Sequence, residues 1–188
     1  MTTILSIDVG IKNLSFCILK SSPDTTTIDD WKNIEVFEGN IKKLPIEVLT
    51  ENIIQSLMQH FDENSNIDVV LIENQPMLKN GLMKTVAVVI FTFFNMMKIQ
   101  FGNVQCVKFI SATNKLKCTL AERLTKEGFK NDYKDRKRLS IELAKLYIPI
   151  VCPSKLEWFS NQKKKDDCAD CLTQGIYYIE HVLKNVIS

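Results

Sequence analysis

The first third of the chain alternates apolar and polar positions, and then the period lengthens. Ile4-Leu5-Ser6-Ile7-Asp8-Val9-Gly10 is a β-branched run that ends in a carboxylate, with a glycine two residues on. It predicts a strand delivering Asp8 to its end, a tight turn, and a return strand from Leu14 to Leu19. Residues 21–30, with Pro23 and three threonines, predict a loop, and the alternation of Ile34 to Glu38 predicts a half-exposed third strand. From Pro45 the apolar positions Ile46, Leu49, Ile53, Leu57 and Phe61 recur every three or four residues, as in an amphipathic helix. Ile67 to Glu73 is a near-continuous apolar run of the buried-strand type, again ending in a carboxylate, and Pro76 limits its extension.

Leu78 to Met97 predicts a second helix, apolar on more than one face and so in need of two packing surfaces. One would be the sheet and the other a partner subunit. Val104 to Ile110 predicts another strand, and Leu116 to Glu127 and Ser140 to Tyr147 predict helical pieces on either side of a polar stretch, 128–138. Pro149 and Pro153 mark a break. Ala169, Leu172, Ile176, Ile179, Leu183 and Val186 form the stripe of a closing helix. Strands first, then helix and strand in alternation, predict an α/β fold. Its mixed five-stranded sheet, a three-strand antiparallel meander plus parallel strands, would be flanked by helices in a single domain, 1–188.

Composition narrows the class only a little. With 45% hydrophobic and 24% charged residues, the 188-residue chain reads as a soluble globular domain. A net charge of +2 means that nucleic-acid binding has to rest on local clusters. The start of the chain has no basic leader, and the most apolar stretch, Val86 to Met97, is short for a bilayer span. The expectation is a soluble, intracellular protein with no membrane partner. The six cysteines are scattered, and Cys168-x-x-Cys171 has no second pair, so free buried thiols are expected rather than disulfides or zinc.

The chemistry lies in the acids. Asp8 and Glu73 end strands that a mixed sheet can set side by side, and Asp167 and Asp170 share one helical turn. Four converging carboxylates repel one another unless a cation sits among them, and hard oxygen ligands suit Mg²⁺ or Mn²⁺. Two ions about 4 Å apart activate water and stabilise the leaving oxygen in phosphodiester hydrolysis. Helix capping accounts for Asp166 but leaves Asp170 unexplained. Lys12, the Lys134, Arg136, Lys137 and Arg138 cluster, and Lys163, Lys164 and Lys165 are candidate phosphate contacts. The Lys134 to Arg138 cluster reads equally as a solvated surface, and the three lysines taken alone read first as a solvated basic loop.

With these residues assembled, the chain resembles the RuvC-type Holliday junction resolvases of the RNase H-like superfamily, above all the branch encoded by poxviruses and other large DNA viruses. The resemblance rests on Ile7-Asp8-Val9-Gly10-Ile11-Lys12-Asn13, Ile72-Glu73-Asn74-Gln75-Pro76, Tyr133-Lys134-Asp135-Arg136-Lys137-Arg138 and Asp166-Asp167-Cys168-Ala169-Asp170, in the family's order. It implies that Asp8, Glu73, Asp167 and Asp170 are catalytic and hold two Mg²⁺ ions per site, Mn²⁺ substituting, and it selects Asp167 over Asp166. It also implies a homodimer through the second helix, with Leu82, Val86, Val89 and Phe93 at the interface. The implied substrate is four-way junction DNA, nicked symmetrically to leave 5′-phosphate and 3′-hydroxyl ends during recombination or resolution of replication intermediates. If the chain is virus-encoded, the host-cell cytoplasm or nucleus is the implied location. Where bacterial relatives place an aromatic after the glutamate, this chain has Pro76, Met77 and Leu78.

Three rivals fit parts of the pattern. An RNase H-like nuclease acting on flaps, mismatches or RNA–DNA hybrids would use the same carboxylates. A sugar-kinase or actin type of phosphate-binding module shares the Asp-x-Gly turn but needs two domains. A non-catalytic junction-binding protein would keep the fold without needing all four acids.

Overall fold

The computed structural model describes residues 1–41, 44–75, 81–125 and 133–184; of residues 122, 125, 133 and 134 it describes only the backbone. In chain order the elements are β1 (Thr2–Asp8), β2 (Asn13–Ser21), β3 (Thr26–Glu35), α1 (Ile46–Met58), β4 (Ile67–Asn74), α2 (Gly81–Phe101) and β5 (Val104–Ser111). A 3₁₀ turn (Asn114–Leu116) leads to α3 (Ala121–Thr125), α4 (Tyr133–Val151), α5 (Lys155–Ser160) and α6 (Lys165–Tyr178), and a π-helical turn (Ile179–Leu183) follows. The five strands form one sheet in the order β3-β2-β1-β4-β5. β1, β2 and β3 pair antiparallel, whereas β4 runs parallel to both β1 and β5.

Period two along the central strands decides what each face carries. Leu5, Ile7, Val70 and Ile72 point to the side covered by α1 and α2, where they meet Leu49, Ile53, Ile90 and Phe94. Ile4, Val69 and Leu71 point to the opposite side, under α4 and α6, among Leu143, Ile148, Cys168, Leu172 and Ile176. Ser6, Asp8 and Glu73 share the parity of this second set and so lie on the face covered by α6.

Several boundaries differ from those the pattern predicts. The loop expected over 21–30 is only a tight turn, closed by Ser22 N–H donating to Thr25 O at 2.8 Å, and β3 already begins at Thr26. Its acidic residues disguise it: Asp29 and Asp30 belong to an edge strand and pair with Lys20 and Lys32. α4 begins at Tyr133, so the basic cluster rides on its first turns rather than on a loop, and the helix runs through Pro149 to Val151. Residues 128–132 of the polar stretch, like Pro76, Met77, Leu78 and Val186, lie outside the described residues.

α2 is 21 residues long, and by length and composition it qualifies as a bilayer span. One face of it packs into the protein's own core, through Val86, Ala87, Ile90, Phe93, Phe94 and Met97. That placement corrects half of the expected dimer face. Val86 and Phe93 are taken up by the chain's own core, and Leu82 and Val89 pack at its margin. The outward surface of the helix carries Val88, Met96, Ile99 and Phe101.

All six thiols are free. Cys168 and Cys171 sit under Trp31, whose Nε1 donates to Cys168 O at 3.2 Å and to Cys171 Sγ at 3.3 Å. Burial pushes the Cys168 thiol up to about 12, which disfavours the thiolate.

Candidate active site

β1 and β4 are hydrogen-bonded neighbours with Ile7 opposite Ile72, so the next residue of each strand, Asp8 and Glu73, emerges at the same level on the same face. The chain then turns back sharply. A side chain at Gly10 would put its Cβ 2.2 Å from the Asn13 carbonyl oxygen, which belongs to backbone and cannot yield. Gly10→Ala is therefore expected to cost about 2 kcal/mol, the scale of forced overpacking, and to displace Asp8. Thermal denaturation of the variant measures that cost, and an unchanged melting temperature would contradict the geometry.

α6 brings the third acid. Its apolar residues Ala169 and Leu172, which flank Asp170, pack against the sheet and place Asp170 over the ends of β1 and β4. Carboxylate oxygens of Asp8, Glu73 and Asp170 all lie within 4.8 Å of one another. Asp167, one turn earlier, lies outside that group, although the charge of Asp170 acts on it. Asp166 is not the helix cap: Lys164 occupies that position, and Asp166 instead pairs with Lys137 of α4.

A residue that the sequence pattern did not single out completes the cluster. Lys115, on the 3₁₀ turn after β5, sends its ammonium among the acids: 2.9 Å from Glu73, 3.7 Å from Asp8 and hydrogen-bonded to Asp170. Its only mark in the sequence is its position, four residues past β5, the strand that neighbours β4. Neutral donors orient the remaining oxygens. Gln75 Nε2 donates to Glu73 Oε1 at 3.1 Å, and Ser140 Oγ donates to Asp170 Oδ1.

The protonation pattern follows from crowding. Burial holds the Asp8 carboxyl well above the ordinary range, against the pull of Lys115. Burial also raises Asp170, opposed by Lys115 and Ser140. Burial works against Glu73 as well, but a hydrogen bond with Asp8 and the Lys115 ammonium keep its carboxyl below the usual value. Among the described residues the three acids share one ammonium, and hard oxygen donors at this spacing fit a divalent cation such as Mg²⁺ or Mn²⁺.

The basic candidates differ in exposure. Lys12 is exposed just past the first turn, and Lys163 and Lys164 are exposed before α6, with Lys165 half-buried. Arg136 and Arg138 are exposed on α4, and Lys137 is held by Asp166. The side chain of Lys134 lies outside the described residues.

Comparison with known proteins extends the picture. The family model described as Poxvirus A22 protein matches residues 2–184. An uncharacterized protein of Acanthamoeba polyphaga mimivirus is 33% identical over 154 residues, covering 76% of this chain but 37% of that protein. The chain thus spans well under half the length of that curated relative. The fowlpox virus resolvase, in a crystal structure with its substrate Holliday junction DNA, superposes with a TM-score of 0.66 at 22% identity, over 97% of this chain and 99% of that one. The yeast mitochondrial Holliday junction resolvase gives 0.62 at 20% identity, over 95% and 79%. Thermus thermophilus RuvC gives 0.58 at 9% identity, over 95% and 96%. At such identities the likeness is one of fold, and that fold is the RNase H-like α/β architecture.

Proposed function

The chain belongs to the Poxvirus A22 protein family, and from that premise we propose that it is a Holliday junction resolvase, a metal-dependent endonuclease that nicks four-way DNA junctions. The observation that carries this reading is the convergence of Asp8, Glu73 and Asp170 at the ends of β1 and β4, in a sheet of the RuvC type. These three carboxylates would hold the divalent cations, with Asp167 as a fourth acid one turn away. Two bound ions, Mg²⁺ or Mn²⁺, would supply activation of water and stabilisation of the leaving oxygen. Gln75 and Ser140 fix the directions of Glu73 and Asp170, and Lys115 balances part of their charge at the point where phosphate approaches. Lys12, Lys163, Lys164 and Lys165, with Arg136, Lys137 and Arg138 of α4, would supply positive charge for the junction backbone.

A four-way junction has twofold symmetry, and a homodimer matches it with two equivalent sites. The outward face of α2, with Val88, Met96 and Ile99, is the surface that suits such pairing. The viral relatives suggest action inside an infected cell, in its cytoplasm or nucleus.

The test is cleavage of an immobile four-way junction in Mg²⁺, Mn²⁺ or EDTA, beside a linear duplex, a flap and an RNA–DNA hybrid. Paired nicks confined to the junction and lost in EDTA are expected, with 5′-phosphate and 3′-hydroxyl ends. Cutting of flaps or hybrids at equal rates would replace the resolvase reading with that of a general RNase H-like nuclease. Tight junction binding with no scission in any metal would leave a binding protein.

A further inference from the structure

Gln174 is a buried polar side chain, 1% exposed, in the middle of the apolar contact between α6 and the sheet. It lies one helical turn beyond Asp170. Its Nε2 donates to Ser6 Oγ at 3.0 Å, and it lies 3.2 Å from Ile7 O and 3.4 Å from Leu71 O. Ile7 immediately precedes Asp8, and Leu71 stands two residues before Glu73. A single amide therefore bridges the two strands that present the acidic pair, directly below the level at which they present it. The next residue allows the approach. A Cβ at Gly175 would come 2.5 Å from Leu19 Cδ1 and 3.3 Å from Ser6 Cβ, so the helix rides against β1 and β2 with no room for a side chain.

Such a bond is costly to build unless it does something. A leucine or methionine would fill the same space without an amide to satisfy. What an apolar side chain lacks is direction: it would let α6 slide or rotate along the sheet, whereas the amide ties the helix to two specific strands.

We propose that Gln174 is a positioning residue for the metal site, fixing the height and rotation of α6 so that Asp170 meets Asp8 and Glu73. This deepens the resolvase reading and rests on it. Gln174 touches neither the reacting phosphate nor the acids. It acts through the helix that carries Asp170, in the way that groups behind metal ligands commonly govern affinity.

The experiment titrates Mn²⁺ and Mg²⁺ into the DNA-free protein by calorimetry, for wild type, Gln174→Met, Gln174→Asn and Ile176→Ala. Gln174→Met keeps the volume and loses the amide. Gln174→Asn keeps the amide but is one methylene too short. Ile176→Ala is a destabilised control in the same helix, buried in the core away from the acids. Metal affinity is expected to fall about tenfold or more in both Gln174 variants, with junction affinity in EDTA within about twofold of wild type. Ile176→Ala should bind metal as wild type does, although it melts lower. If Gln174→Met does not fold, Gln174→Asn carries the test alone. Wild-type metal affinity in a folded Gln174 variant overturns the proposal, as does an equal loss in Ile176→Ala. A wild-type protein that binds no divalent metal at all overturns the functional reading instead.

Discussion

Asp170→Asn is expected to end strand scission, lowering the rate by about a thousandfold or more, while leaving the protein folded and able to bind a junction. A loss of that size corresponds to about 4 kcal/mol of transition-state stabilisation. Asparagine has the shape of aspartate and can still accept a hydrogen bond from Ser140, so the fold has little reason to change. What it cannot do is carry the negative charge that, with Asp8 and Glu73, makes the cluster a place for cations. Asp8→Asn and Glu73→Gln should behave alike. Asp166→Asn is the control: its carboxylate faces Lys137, and cutting should stay within about tenfold of wild type, the scale of a lost surface-proximal pair. Asp167→Asn, one turn from Asp170, is expected to lose cutting too; wild-type rates there would reduce the ligand set to three. Single-turnover cleavage of a labelled junction reads all of these. A wild-type rate for Asp170→Asn would refute the site.

Lys115→Ala should make the metal-free protein strongly dependent on pH and on Mg²⁺ for its stability. The ammonium is 14% exposed and its three acidic neighbours are 11–18% exposed, so solvent does little to screen them. Removing the one cation from such a set costs about 3 kcal/mol, at the low end for broken buried pairs, because a carboxyl can take up a proton instead. The sign of the pH effect follows from which groups titrate. The acids hold the Lys115 ammonium above its ordinary 10.5, so its contribution is fully present below that value and is lost only in strong alkali. Near neutral pH the lysine does not titrate. At the acid end Asp8 and Asp170, already raised, bind protons and remove the repulsion. The deficit of the variant should therefore be greatest at pH 8, shrink towards pH 4, and be partly restored at pH 8 by millimolar Mg²⁺. Urea denaturation at the two pH values, with and without Mg²⁺, measures it. A deficit of the same size under all four conditions would mean that Lys115 contributes packing rather than charge.

What could be read in the sequence was what period and punctuation encode. Asp8 and Glu73 were legible because each closes an apolar strand, and the parallel pairing of β1 with β4 sets them side by side. Asp170 was legible because two acids three apart exceed what a cap needs. β3 was misjudged at its start because an edge strand needs little apolar content, and Asp29 and Asp30 satisfy themselves with lysines along the edge. Lys115 had no pattern to announce it: a lone lysine after a strand looks the same whether it faces water or three carboxylates. Val86 and Phe93 were expected on an outer face because a helix that is apolar all round does not say which stripe its own core takes. Here the sheet took Val86 and Phe93, and Val88, Met96 and Ile99 were left outside.

The order in which the cluster's parts occur along the chain bears on its biosynthesis. Asp8 comes first, Glu73 and Lys115 follow, and Asp170 arrives on α6. A ribosome adds roughly 5–20 residues per second, and domains tend to form from the N-terminus as they emerge. For several seconds the nascent chain thus holds two of its three clustered acids and, later, the lysine, but not Asp170. Nor can α6 cap the sheet face that Ser6 and Leu71 share until it has left the exit tunnel. On the proposed reading, termination upstream of α6 is expected to yield fragments that lack Asp170 and do not cut DNA.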